Sequence, residues 1–278
     1  MVSLLNKCAG LLSEGKKAAE AYKWQKIRFA EVSMLKASLL EQGYAVSSVN
    51  LALSAMKGLA RTAFNMYLLD AEDLERIRAI KRVRGDAVRE KRSLSKDEIQ
   101  QLIAATQEAS FKTQQYRDKA LVYVAVCGGL RVSEITALSV SDFNAQTGSL
   151  MVRQGKGRKN REVLLPPKAI RALNSWIQLL PLNDIIFTRI SKSGSVLSTG
   201  LSSAGVASIL KMLQRNAEVA SFSPHDLRRT FITQLLEHNV DLNTVRQMAG
   251  HSDISTTIQY DYRDMHSQKS VAANCLNF

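Results

Sequence analysis

Two side chains able to share one anion stand three residues apart in this chain: His225 and Arg228, at a helix start introduced by Ser223-Pro224. Residues at that spacing lie on one helical face, so an imidazole and a guanidinium there can meet the same phosphate or carboxylate. Taken alone, the pair is also what a capping histidine beside a surface arginine would look like. A second guanidinium, Arg131, follows a Gly128-Gly129 break at the start of a short helix, with Glu134 one turn on to hold it. Later come Ala249-Gly250-His251-Ser252-Asp253, then Ser255-Thr256-Thr257 and Tyr260. His251 and Tyr260 are nine residues apart, which leaves room for a turn and a short helix between them. The ordinary reading of Tyr260 is a half-buried core tyrosine, and Tyr262 competes for any role it has. Lys156, between Gly155 and Gly157, reads by default as a mobile hairpin lysine.

Other chemistries fail on the same inspection. The chain has no Gly-x-x-x-x-Gly-Lys-Ser/Thr phosphate loop, dinucleotide fingerprint, His-Glu-x-x-His or Gly-x-Ser-x-Gly. Its four histidines, His225, His238, His251 and His266, have no carboxylate cluster at metal spacing beside them, so we expect no metal site and no cofactor.

The elements that must position these groups divide into two sets. Residues 1–80 are expected to be helical: Tyr22–Gln42 and Ser47–Leu69 carry apolar residues at helical spacing without Pro. Gly43 ends the first stretch, Ser47 and Ser48 are placed to cap the second, and a short helix restarts at Asp70. Between Arg76 and Arg92 there are eight basic residues and two acidic ones, Asp86 and Glu90, and residues 81–93 read as a basic linker. The second domain, 94–278, opens on the capping box Ser95-Lys96-Asp97-Glu98. Helices are expected over Tyr116–Cys127, Val132–Leu138 and residues 168–180, 203–218, 226–238 and 242–249, the last opened by Asp241. Ser149–Arg153 and Arg161–Leu165 read as a hairpin with a basic tip, and Ile185-Ile186-Phe187 as a short strand. The expected fold class is mainly α with a small antiparallel β-sheet, in two domains.

At 278 residues the length suits one large domain or two ordinary ones at roughly 150 residues each. The 38 Lys+Arg against 25 Asp+Glu leave a net charge of +13, which points to a polyanionic partner. No apolar run approaches the roughly 18 residues a membrane span needs, and no basic amphipathic segment carries Trp and Phe opposite its charges, so nucleic acid rather than a membrane is the expected anion. Cys8, Cys127 and Cys275 are odd in number and widely separated, as reduced intracellular thiols are, and the N-terminus does not read as a cleaved signal. The expected location is cytoplasmic, with the nucleoid.

Taken together, the ordered set Arg131, Lys156, His225-x-x-Arg228, His251 and Tyr260 resembles the tyrosine recombinase (phage integrase) family, with Xer and integron integrases nearest in size. The match rests on Gly-Gly-Leu-Arg-Val-Ser-Glu (128–134), Gly-Lys-Gly-Arg-Lys-Asn-Arg (155–161), Ser-Pro-His-Asp-Leu-Arg-Arg-Thr-Phe (223–231) and Gly-His-Ser-Asp-Ile-Ser-Thr-Thr-Ile-Gln-Tyr (250–260). It covers about residues 95–262 well. Residues 1–80 resemble the family's helical, SAM-like core-binding domain more loosely, mainly through Ser47-Ser48-Val49-Asn50. Ala249 stands where the family commonly has Leu.

The resemblance implies a two-domain DNA clamp, the N-terminal core-binding domain facing an α+β catalytic domain across the duplex. It implies a site-specific recombinase that cuts and rejoins DNA through a 3′-phosphotyrosine on Tyr260 and a Holliday junction, within a homo-tetramer, or a hetero-tetramer with a paralogue, on two recombination sites in double-stranded DNA. Arg131, Arg228 and His251 would hold the phosphate, Lys156 would protonate the leaving oxygen with Lys159 as its rival, His225 would accept a proton or orient the phosphate, and Glu134 would orient Arg131. DNA contacts are expected from Arg82, Arg84, Arg89, Lys91 and Arg92 in the linker and from Arg158, Lys159, Arg161 and Arg229. The tail after Tyr260 carries Val271, Ala272, Ala273, Leu276 and Phe278 and would dock on a neighbour. Two alternatives stay open: a type IB topoisomerase, and a DNA-binding regulator that has lost cleavage.

Overall fold

The computed structural model describes residues 2–84, 92–153, 160–181 and 184–261. Lys156, Arg158, Lys159, Arg89, Lys91, Tyr262 and the tail expected to dock on a neighbour lie outside them. The chain divides into two compact units, Met1–Glu90 and Lys91–Phe278.

The first unit is built from α1 (Val2–Leu12), α2 (Phe29–Glu41), α3 (Val46–Asn65) and α4 (Ala71–Ala79). Its core joins Val32, Leu35 and Leu39 of α2 to Val49, Leu53, Met56 and Ala60 of α3 and Leu74 and Ile77 of α4. The helix expected over 22–42 begins late. Residues Trp24–Lys26 form a 3-10 turn, Arg28 is extended, and the Glu31 carboxylate accepts the Arg28 backbone N–H at 2.9 Å, which sets the start of α2 at Phe29. Nor do Ser47 and Ser48 cap α3: its N-cap is Ala45, with no side-chain cap. Asp70 does cap α4, accepting from the Asp73 N–H at 2.7 Å. Of the expected linker, residues 81–84 are tied to this unit. The Asn50 side-chain amide exchanges two hydrogen bonds with the Val83 backbone (2.9 and 3.0 Å), and Lys36 donates to the Lys81 carbonyl.

The second unit opens as its capping box requires. Ser95 Oγ accepts from the Glu98 N–H, Glu98 returns the bond to the Ser95 N–H, and α5 (Lys96–Ala105) follows. Around the long α6 (Lys112–Gly128), buried on most of its circumference, pack α5, α7 (Val132–Thr136), α8 (Pro167–Ile177) and α10 (Pro224–Glu237), with α9 (Ser203–Asn216) against α5 and α7. The chain ends in α11 (Leu242–Ala249), capped by Asp241, and the single-turn α12 (Ser255–Ile258). β1 (Phe143–Asn144), β2 (Ser149–Val152) and β3 (Arg161–Leu164) form an antiparallel sheet in which Leu150 faces Val163 and Val152 faces Arg161. A separate hairpin pairs β4 (Thr188–Ile190) with β5 (Val196–Gly200), and Ile185 makes only an isolated bridge to Ser139, so the strand expected at 185–187 starts later. No described helix is long and apolar enough to cross a membrane.

The linker's far end belongs to this unit. Arg92 pairs with Glu98 at 2.7 Å and donates to the Ala220 and Ser221 carbonyls. Ser93 and the Leu94 N–H bond to Thr233 and Thr230 on α10.

Candidate active site

Everything in the site is arranged around one carboxylate and one helix end. Glu134, in the first turn of α7, accepts the Arg131 backbone N–H at 2.8 Å and so defines the start of the helix. It also takes the Arg131 guanidinium at 2.8 Å and both outer nitrogens of Arg161, at 3.0 and 2.7 Å, while Arg228 lies 3.9 Å away. Burial pushes the Glu134 carboxyl up, but the hydrogen bonds from Arg161 and the Arg131 amide, with the charge of Arg161, outweigh it and hold the group at about 2. It is therefore a permanent anion at any working pH.

One carboxylate does not neutralise three guanidinium groups, and the backbone supplies the rest. The last carbonyls of α11 have no partners within the helix, and they carry the negative end of its dipole. Three arginines from three distant elements take them in order: Arg161 donates to the Met248 carbonyl, Arg228 to Ala249 and Arg131 to Gly250. Arg228 also donates to the Gly129 carbonyl at 2.7 Å. Gly250, at φ +67°, turns the chain out of α11 and delivers His251 beside the cluster. Gly129 explains the Gly-Gly break. At φ +60° it suits a residue without Cβ, and a Cβ there would sit 2.2 Å from the Phe231 ring.

Arg228 is 1% exposed, and burial with the neighbouring Arg131 charge pulls it down to about 10, so it remains a cation. The two histidines respond in the other direction. Burial and then the Arg228 and Arg131 charges lower His251 to about 4, and burial with Arg228 also lowers His225. Both are neutral near pH 7. His251 Nδ1 lies 2.9 Å from the Thr257 hydroxyl. With that hydroxyl donating, the ring proton is fixed on Nε2, which becomes a hydrogen-bond donor.

Tyr260 closes the site. Its hydroxyl lies 3.5 Å from His225 Nε2, and its ring centroid is 6.1 Å from that of His251, with the planes 22° apart. The ring is 5% exposed and packs with Phe231, Ile232, Leu236, Val245 and Ala249. Thus Arg131, Glu134, His225, Arg228, His251 and Tyr260 converge from the α6–α7 junction, α10 and the chain on either side of α12. Among the described residues no cluster of His, Cys, Asp or Glu is arranged to hold a metal ion.

Residues 92–267 match the phage integrase family. The chain belongs to this family. As a tyrosine recombinase it is an enzyme that cuts and rejoins DNA strands site-specifically. It is 30% identical over 225 residues to the tyrosine recombinase XerA of Pyrococcus furiosus, covering 81% of this chain and 72% of that one. Against XerC of Pseudomonas fluorescens (strain Pf0-1) it is 30% identical over 252 residues, covering 89% and 80%. The structure of the Tn1549 transposon integrase with a circular intermediate DNA shares its fold at a TM-score of 0.71 and 14% identity, covering 99% of this chain and 98% of that one.

Three of the residues read as DNA contacts are engaged within the protein. Arg161 and Arg229, read as DNA contacts, are 8% and 7% exposed. Arg161 is consumed by Glu134 and the Met248 carbonyl, and Arg229 lies with its guanidinium carbon 4.5 Å from the centroid of the Tyr260 ring. The β3 pattern carried the signal for Arg161: with the side-chain period of two, it shares the inward face with Val163. Arg92 is also engaged internally, by Glu98 and two carbonyls, whereas Arg82 and Arg84 are exposed. Thr257 was not anticipated, because nothing in a Ser-Thr-Thr run distinguishes the hydroxyl that meets a histidine six residues earlier.

Proposed function

We propose that Tyr260 is the nucleophile of a phosphoryl transfer in which the described site holds one DNA phosphodiester. The observation that carries this reading is the convergence of Arg131, Arg228, His225, His251 and Tyr260, supplied by remote segments, around one polar spot. The Tyr260 oxygen bonds to phosphorus, its proton passes to the neutral His225 Nε2, and the bond from phosphorus to the 5′-oxygen breaks. Lys156, which lies in sequence between β2 and β3, protonates that leaving oxygen. Charge accumulating on the non-bridging oxygens is met by Arg131, Arg228 and the Nε2 proton of His251; a single well-placed donor of this kind contributes on the order of 100- to 1,000-fold. Because the guanidinium groups are already held by carbonyls and Glu134, little reorganisation is left for the moment of reaction.

Reversal with a 5′-hydroxyl from a second duplex would exchange strands through a Holliday junction, which calls for four protomers on two paired sites. The net charge of +13 and the exposed Arg82 and Arg84 support a duplex DNA partner, with Arg89, Lys91, Arg158 and Lys159 as further contacts. DNA is held, in this reading, by both units, 1–80 and 94–278, joined through the basic segment 81–93.

The test starts from a duplex site selected by this protein from a randomised library and nicked so that cleavage is trapped. Wild type should give a denaturant-stable protein–DNA adduct, and Tyr260→Phe should bind the duplex within about twofold and give none. An adduct that persists in Tyr260→Phe would overturn the assignment. Affinity should fall steeply, by about 10³ or more, from 50 to 200 mM salt if at least six phosphates are contacted.

A further inference from the structure

We infer that Arg229 is a positioning residue for the tyrosine, holding the Tyr260 ring through its π face, and that it does not contact DNA. The inference rests on Tyr260 being the nucleophile. The backbone leaves that tyrosine weakly restrained: α12 is one turn long, and beyond it the chain holds Tyr260 through its N–H to the Thr257 carbonyl. The ring belongs to an apolar cluster with Phe231, Ile232 and Leu236, whose packing resists withdrawal but sets no direction for the hydroxyl. The Arg229 guanidinium, 4.5 Å from the ring centroid, supplies a directional partner, since a cation is drawn to the negative face of an aromatic ring.

The composition of the site makes an arginine there hard to explain otherwise. Arg229 is 7% exposed, its Nε is buried without a hydrogen-bond partner, and it follows directly on Arg228 in a cluster already rich in guanidinium. A buried cation in such company is costly, and an apolar side chain of the same length would fill the space at lower cost. What an apolar residue lacks is attraction for the ring face and a positive charge near an oxygen that is giving up its proton. Arg229 stands four residues after His225 and next to Arg228, so one side of α10 presents the phosphate-side groups and the tyrosine clamp together.

The experiment compares Arg229→Met, which keeps length and burial, with Arg229→Lys, which keeps the charge without the planar fork. Each is measured for duplex affinity, thermal midpoint and single-turnover adduct formation on the nicked, library-selected duplex, with Tyr260→Phe as control. Expected is a loss of adduct rate of roughly 3- to 30-fold in Arg229→Met, the range a cation–π contact can supply, with affinity within twofold and partial recovery in Arg229→Lys. A weakened affinity with an unchanged rate would make Arg229 a DNA contact and overturn the inference, as would an unchanged rate in both variants. Should Arg229→Met unfold, Arg229→Gln takes its place: a rate roughly 3- to 30-fold below wild type in Arg229→Gln with partial recovery in Arg229→Lys supports the inference, and wild-type rates in both, or a weakened affinity with an unchanged rate, overturn it. No adduct in wild type, or one that survives in Tyr260→Phe, would instead remove the reading on which the inference stands.

Discussion

The side of the site proposed to bind phosphate and the side that carries the proposed nucleophile are built to different tolerances. Arg131, Arg161 and Arg228 are each held by a carboxylate or a carbonyl, with the Glu134 bonds at 2.7 to 3.0 Å. Tyr260 meets His225 at 3.5 Å, the limit of a hydrogen bond, from just beyond a one-turn helix. The difference follows from the chemistry. Groups that stabilise developing charge work best when fixed beforehand, whereas a nucleophile that must take up and later release a phosphorus gains from a short, adjustable support. The rigid half is costly to assemble, because three cations must be brought together, and α11 offsets that with its C-terminal carbonyls.

If this contrast is right, damage to the rigid half should be the more severe. The largest effect is expected from Arg228→Lys, which keeps the charge but cannot reach the Gly129 and Ala249 carbonyls and a phosphate together. Adduct formation should fall by about 100- to 1,000-fold, measured as the single-turnover rate, while Tyr260 remains in place.

Glu134→Gln should follow, destabilising the protein by about 3 to 5 kcal/mol as a broken buried ion pair does, read from urea unfolding. The same variant sharpens the electrostatic argument. The folded carboxyl sits at about 2, below its ordinary 4.5, so its contribution is complete above about pH 4.5 and is lost as pH falls toward 2. The wild-type urea midpoint should therefore drop over that window by more than the midpoint of Glu134→Gln. His251 adds a separate slope: its folded value of about 4 lies below the ordinary 6.5, so the unfolded chain binds the proton first and stability declines from pH 6.5 toward 4. A His251 ring assigned by NMR and titrating near 6.5 in the folded protein would contradict its burial among arginines.

On the adjustable side the effects should be smaller. Thr257→Val removes the hydroxyl that fixes the His251 tautomer and should cost about 1 kcal/mol, the value of one hydrogen bond, seen as a roughly fivefold slower adduct rate. Smallest of all, Ser95→Ala removes the capping box of α5 and should lower stability by about 1 kcal/mol without changing the adduct rate, because α5 carries no site residue.

Much of this was legible beforehand, for identifiable reasons. The helices of the second unit announce themselves through Ser95, Asp241 and the Pro before His225, local signals with local consequences. What was not legible depends on pairing over distance. β1, β4 and β5 are two to five residues long and owe their existence to partners rather than to their own pattern. The site residues could be named because their types and order are distinctive, but how they are held could not. The bracket at Met248, Ala249 and Gly250 is made of carbonyls, which every residue has. Arg161 and Arg229 were misplaced because a basic residue in a basic stretch reads as surface until the inward side of β3 and the nearly all-round burial of α10 are known.

The central claim is that one phenolic oxygen carries the DNA between cutting and joining. The most direct measurement is mass spectrometry of the trapped adduct after trypsin and nuclease digestion, sequencing the peptide that spans Gln247–Arg263, which holds both Tyr260 and Tyr262. A nucleotide on Tyr260 is the predicted result. A nucleotide on Tyr262, or on any residue outside this peptide, would contradict the account.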